Sequence, residues 1–130
     1  LYRINDDTEF ITPFASSAVS TLKSYSPPLV GVVGPICKQG NTAILTHDFV
    51  HRTHMKIFDT YYPVRVTDWW LDDWMSRVYG PSRTHKGPFK VIHHTSAHGT
   101  RYAITHQNEA LLSGELRRGT NRVKHFINES

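Results

Sequence analysis

Apolar residues recur along this chain with two periods, and the switches between them predict its elements. Leu1-Tyr2-Arg3-Ile4 alternates as a strand does and gives way to polar Asn5-Asp6-Asp7-Thr8, a strand end opening into a loop. Phe14, Ala18 and Leu22 fall four apart behind Pro13 and predict a helix, which Ser26-Pro27-Pro28 ends because proline neither donates nor tolerates a helical residue before it. Leu29-Val30-Gly31-Val32-Val33 predicts a strand buried on both faces, Gly34-Pro35 a turn and Ala43 to Leu45 a further strand. Thr46 or Asp48 then caps a helix running to Phe58, with Phe49, Thr53 and Ile57 on its inner side and His47, His51 and His54 nearby. Asp68 to Gly80 reads as a capped helix with Trp70, Trp74 and Val78 on one stripe; Asp72 and Asp73 sit in its first turn, where the helix dipole favours ionised carboxylates. Gly80 to Pro88 reads as a basic, mobile loop and Phe89 to His93 as a strand. Arg101 to Arg118 follows as a helix stopped by Gly119, and Arg122 to Ile127 as a terminal strand or arm. The sum is an α/β chain, a mixed β-sheet covered by helices.

Composition narrows the classes without changing that picture. A chain of 130 residues with 38% hydrophobic and 20% charged side chains suits one folded domain, 1–130. Net charge is +4 with histidine neutral, which favours anionic ligands such as nucleotide phosphates. Lys and Arg are scattered rather than clustered, which argues against a nucleic-acid surface. Cys37 is the only cysteine, excluding an intrachain disulfide and any multi-cysteine zinc site. No apolar run has the length of a membrane span, and the first residues do not form a signal peptide. Because Leu1 opens directly in a strand, without a methionine, the expectation is a fragment or processed piece with a preceding segment.

Candidate chemistry gathers at two acidic clusters. Asp68-Trp69-Trp70-Leu71-Asp72-Asp73-Trp74 sets indole rings beside carboxylates, a combination that suits a sugar: its C–H face packs on the ring and its hydroxyls donate to the acid. The second cluster is Asn5-Asp6-Asp7. Arg3-Ile4-Asn5-Asp6-Asp7-Thr8-Glu9 resembles the strand and loop bearing the Asp-x-Asp-type metal motif of GT-A glycosyltransferases. In that family a helix and a Gly-Val-Val-Gly-Pro strand follow, matched here by Gly31 to Pro35. His51-Arg52-Thr53-His54 and Trp69 to Trp74 look like the acceptor-side helices of such enzymes. His93-His94, followed by Gly99-Thr100-Arg101-Tyr102, looks like the segment after the last core strand, where many of them place a metal-ligating histidine. The likeness runs through almost the whole chain in the family's order. Two departures stand out: Asn5 occupies the usual first acidic position, and the nucleotide-binding half that precedes this strand in the family has no counterpart here.

The resemblance implies the C-terminal, acceptor-side half of a GT-A domain and a metal-dependent transfer of a sugar from a nucleotide-sugar to an acceptor hydroxyl on a carbohydrate or glycoprotein. It implies Mn²⁺ or Mg²⁺ held by Asp7 and His94, with His93 or His98 as lesser candidates. Asp6, Asn5, Arg101 and Lys86, with Arg52 beside them, would serve the donor, and Trp69, Trp70 and Trp74 would floor the acceptor. Asp73 or Asp72 would be the base, and only one can face the site because helix neighbours lie about 100° apart. The nucleotide-binding half would be a partner, and the Golgi or secretory-pathway lumen the location. Three other classes fit parts of the pattern. An inactive glycosyltransferase-like assembly subunit would explain Asn5. A histidine metal hydrolase would use His47, His51 and His54, although no His-Glu-x-x-His signature is present. A carbohydrate-binding module would need the tryptophans alone.

Overall fold

The computed structural model describes residues 1–4, 8–37, 43–67, 70–93 and 109–130. Strands β1 (Tyr2–Arg3), β2 (Thr8–Phe10), β3 (Val32–Ile36), β4 (Asp48–Val50) and β5 (Thr84–His93) form one mixed sheet in the order β1-β4-β3-β5-β2. β3 runs parallel to β5, and the remaining neighbours are antiparallel. The helices are α1 (Ala15–Ser24), the single turn α2 (His54–Ile57), α3 (Trp70–Val78) and α4 (Glu109–Asn128).

Side chains alternate across β3, and that alternation separates two apolar layers. Val33 packs with Ala18 and Leu22 of α1, Tyr25 and Phe89, whereas Val32 joins Trp74, Met75 and Val78 of α3 and Leu112 and Val123 of α4. Flat, the sheet would hold β1 and β2 about 19 Å apart, near the roughly 17 Å that the chain from Arg3 to Thr8 can span. It curls instead. Tyr2 on β1 meets Phe10 on β2 with ring centroids 5.8 Å apart, and Phe14 stands 4.9 Å from Tyr2.

The expected mixed α/β layering is present, and the tryptophan helix and the helix around Ala18 and Leu22 form where the pattern placed them. Thr8–Phe10 is a strand where a loop was expected, and Ala43 to Leu45 forms none. Four further boundaries differ, each for a tertiary reason. Gly34 and Pro35 stay inside β3, and the ladder to β5 shifts register between Gly34 and Ile36, a bulge that accommodates a residue lacking N–H. The expected loop at Gly80 to Pro88 becomes a 3₁₀ turn at Pro81–Arg83 and then β5, because parallel pairing with β3 satisfies its backbone. Asp48 caps no helix but begins β4, which pairs with β1 on one side and β3 on the other, leaving only one helical turn before Phe58. Gly119 stops nothing: α4 runs through it to Asn128, so the expected terminal strand at Arg122 to Ile127 is helix.

Gly119 is where α3 and α4 approach each other. A Cβ there would lie 2.6 Å from Cγ2 of Val78 and 3.2 Å from Cζ2 of Trp74, so a bare α-carbon permits the contact. Among the described residues no helix is long and apolar enough to cross a membrane.

Candidate functional site

Charge is buried at one place beneath β1. Asp48, fully buried, accepts from the hydroxyls of Tyr61 at 2.6 Å and Tyr62 at 2.7 Å and from Nε of Arg3 at 3.1 Å. Arg3 Nε also donates to the Tyr62 hydroxyl at 2.7 Å, and its Cζ lies 5.7 Å from the centre of that ring. The other side of the guanidinium reaches α3: Nη2 pairs with Asp48 at 3.1 Å and with Oδ1 of Asp72. Arg3 thus joins β1, β4 and the first turn of α3 through one forked group, a geometry that a guanidinium offers and an ammonium does not. Leu1, Tyr2, Arg3, Tyr61 and Tyr62 line a hollow of about 350 Å³ beside it.

Among the described residues Arg3 is shared by two carboxylates, Asp48 and Asp72, and burial acts on every member of the group. Burial works against the Arg3 guanidinium, yet Asp48 and Asp72 hold its pKa above the ordinary value. Burial, with Asp48 adding to it, raises the Tyr61 and Tyr62 phenols. Asp72 is the less enclosed acid, with its side chain 22% exposed. Burial lifts its pKa to about 6, and the part of Arg3's charge left over from Asp48 only partly opposes the rise. A carboxyl raised in the folded state contributes stability that is complete below its unfolded pKa and lost as pH climbs through the folded one. The window is about pH 4 to 6. Asp72→Asn, neutral throughout, should therefore unfold at a higher urea midpoint than the parent chain at pH 7.5, with the gap closing near pH 4. A lower midpoint at pH 7.5 would contradict the assigned direction.

The neighbouring acid is placed differently. Asp73 is partly buried, and burial raises its pKa against the opposing pull of Arg77 one turn on. No ion pair joins it to another described residue, so of the two acids it is the one left available. Trp70 is half-buried at the start of α3. Trp74 has a different position from the one an acceptor floor needs. It is 2% exposed, its ring lies 5.2 Å from Phe58, and Nε1 donates to the Glu115 carbonyl at 3.3 Å. Its stripe faces α4, and its indole is core.

The strand that leads into the Asn5-Asp6-Asp7 cluster is fixed on both sides of that cluster. Before it stands Arg3; after it, the Thr8 hydroxyl bonds Nε2 of fully buried His47 at 2.7 Å, while Nδ1 of the same ring meets the Thr46 hydroxyl at 3.0 Å. Thr8 is also the residue paired with His93 across the β2–β5 ladder. Asn5, Asp6, Asp7, Trp69, His94, His98 and Arg101 lie outside the described residues.

Lys86 is exposed on β5, paired with Gly34 of β3. The three histidines of the hydrolase reading do not converge. His54 is buried, with Nε2–H donating to the Tyr61 carbonyl at 2.8 Å and Nδ1 accepting from Tyr79 at 2.7 Å; burial lowers its pKa and keeps the ring neutral. His51 bonds the Thr53 hydroxyl at 2.7 Å and His47 turns to Thr8, so each ring is engaged separately. Among the described residues no three His, Cys, Asp or Glu side chains are grouped to hold a metal ion.

Sequence reasoning missed Asp48, His47, Tyr61 and Tyr62 as parts of this arrangement. An available signal was the acid at the head of the apolar pair Phe49-Val50, which capping chemistry explained too readily. No family model, curated protein or solved structure matches the chain.

Proposed function

We propose that the chain is the acceptor-side part of a metal-dependent glycosyltransferase, moving a sugar from a nucleotide-sugar donor to an acceptor hydroxyl. One observation carries this reading: positions flanking the three sequence-selected clusters are paired, and Thr8 bonds His47, the neighbour of the Asp48 that Arg3 holds. Arg3, two residues before Asn5, pairs with Asp72 beside Asp73, and Thr8, next after Asp7, stands opposite His93, next before His94. Each proposed ligand is thus one peptide, about 3.8 Å between α-carbons, from a position paired in the ladder.

A carboxylate and an imidazole form a donor set suited to Mn²⁺ and, through the carboxylate, to Mg²⁺; a divalent ion held there would neutralise charge on the departing diphosphate. Asp6 and Asn5 would accept from donor hydroxyls, and Arg101 would face the phosphates. Trp70 would offer the acceptor an apolar ring edge. Asp73, free of the Arg3 cluster, would take the proton from the acceptor hydroxyl. Its raised pKa follows from burial and keeps it a stronger base than a solvated carboxylate.

Calorimetric titration of the whole chain with Mn²⁺, alone and with nucleoside diphosphates, tests the reading. Saturable Mn²⁺ binding is expected, abolished in Asp7→Ala while far-ultraviolet circular dichroism stays unchanged. Absence of heat with every combination would overturn the transferase and favour the inert assembly subunit. Once a donor is identified, Asp73→Asn should lower kcat by far more than it raises the acceptor KM, and equal changes in both would remove it as the base.

A further inference from the structure

With Trp74 in the core, the aromatic floor drawn from three indoles loses one of them. The hollow of about 350 Å³ lined by Leu1, Tyr2, Arg3, Tyr61 and Tyr62 offers another aromatic surface close to the same helix. Its volume lies at the lower end of the roughly 300–1,000 Å³ of small-molecule sites. Two contacts tie it to α3: Arg3 pairs with Asp72, and the Tyr62 ring stands 6.4 Å from that of Trp74 between centroids.

The chemistry of the lining selects the occupant. Tyr61 and Tyr62 are half-buried, with ring centroids 4.9 Å apart and planes inclined at 69°, so the pair makes a corner with an apolar wall on each side. Both hydroxyls donate to buried Asp48, which fixes the rings and turns their bonding capacity inward. Arg3 is the one charged side chain of the lining, 25% exposed and already engaged by Asp48 and Asp72. A cation therefore meets no carboxylate in this wall, and a diphosphate meets only a guanidinium that two acids hold. A neutral ring with an apolar face and a rim of hydroxyls suits both properties, its C–H groups on the phenol faces and its hydroxyls toward the guanidinium edge and water. A pyranose is such a ring.

We propose that the corner of Tyr61 and Tyr62 beside Arg3 seats a neutral pyranose, the sugar of the acceptor, with the two phenol rings as its platform. Calling that sugar the acceptor rests on the transferase reading; the sugar site itself does not. Asp48 acts here as a positioning residue: because it holds both rings in the free protein, binding has little left to order.

Methyl glycosides of glucose, galactose, mannose and N-acetylglucosamine are the probes, with indole as the aromatic comparison. Each is titrated into the whole chain without metal and followed by the backbone amide resonances. At least one glycoside is expected to bind saturably in the millimolar range, shifting the resonances of Tyr2, Arg3, Tyr61 and Tyr62 while those of α4 stay in place. Tyr62→Leu should weaken that glycoside about tenfold, the scale of one lost ring face. Tyr62→Phe should bind it within about twofold of the parent, although its urea midpoint falls for want of the bond to Asp48. A residue that only supported the fold would lose affinity in step with stability, so this split identifies the ring face as the contact. Should Tyr62→Leu fold poorly, the resonance map and the Tyr62→Phe affinity decide the matter. No saturable glycoside binding, shifts confined to another surface, a clear loss of affinity in Tyr62→Phe, or indole binding at the corner more tightly than every glycoside overturns the inference. Glycoside binding by a chain that takes up neither Mn²⁺ nor a nucleoside diphosphate keeps the sugar site and removes the transferase; Mn²⁺ binding without glycoside binding does the reverse.

Discussion

Asp48→Ala is expected to lower the free energy of unfolding by about 3–5 kcal/mol, the range for removing one member of a buried charge cluster. The acid is fully enclosed and receives three side-chain donors: the Tyr61 and Tyr62 hydroxyls and Nε of Arg3. Alanine would strip all of them at once. The Tyr61 hydroxyl would keep only a 3.5 Å approach to the residue 48 carbonyl, and the guanidinium would retain Asp72 as its carboxylate. A buried polar group left without a partner costs about 1–3 kcal/mol, and several are exposed to that penalty here. Asp48→Asn should lose less, since the amide oxygen still accepts from one phenol. Urea unfolding at pH 7.5 measures both, and an alanine variant within about 1 kcal/mol of the parent would show that the cluster contributes little to holding β1.

Trp74→Ala should cost a similar amount, about 3–5 kcal/mol, by a different mechanism. The indole is 2% exposed and wedged between Phe58, His54 and the α4 backbone at Gly119. Its removal leaves a cavity that rigid neighbours cannot fill: His54 is pinned at both ring nitrogens, and the helix at Gly119 already lies as close as a bare α-carbon allows. Trp70→Ala should cost clearly less, because Trp70 is only half-buried at the helix start. The pair of variants separates packing from binding. If Trp74→Ala unfolded within about 1 kcal/mol of the parent, its indole would have to face a ligand rather than α4. Under the proposed transferase function, the expected division is loss of stability with Trp74→Ala and loss of acceptor affinity with Trp70→Ala.

How far these features could be read from the chain depends on the range of the interactions behind them. Phe14, Ala18 and Leu22, and Trp70, Trp74 and Val78, declared their helices because a period near four residues is a local property. The stripe grouped Trp74 with Val78 but did not say which way it faces: the resemblance placed Trp74 on an acceptor floor, and the structure puts it in the core with Val78. The placement of Asp72 and Asp73 in a first turn was local too. β5 was legible only in its second half, where Phe89, Val91 and Ile92 make an apolar run around Lys90; its first half contains Gly87 and Pro88 and is held extended by β3. Gly119 shows the same limit from the other side. A glycine after a leucine-rich helix looks like a stop, and only the approach of α3 reveals it as a contact point.

The sequence by itself determined the two helical stripes, the apolar run of the central strand and the acidic character of two separated segments, because period, composition and end chemistry act between near neighbours. Tertiary structure alone decided that Asp48 is a buried anchor rather than a helix cap, that Arg3 divides itself between Asp48 and Asp72, and that Thr8 faces His93. Those pairings join residues 45, 69 and 85 positions apart. Nothing in the spacing of a chain encodes them. They exist because curling the sheet brings its first and last strands together, and burial then makes each charge depend on the partners it meets there.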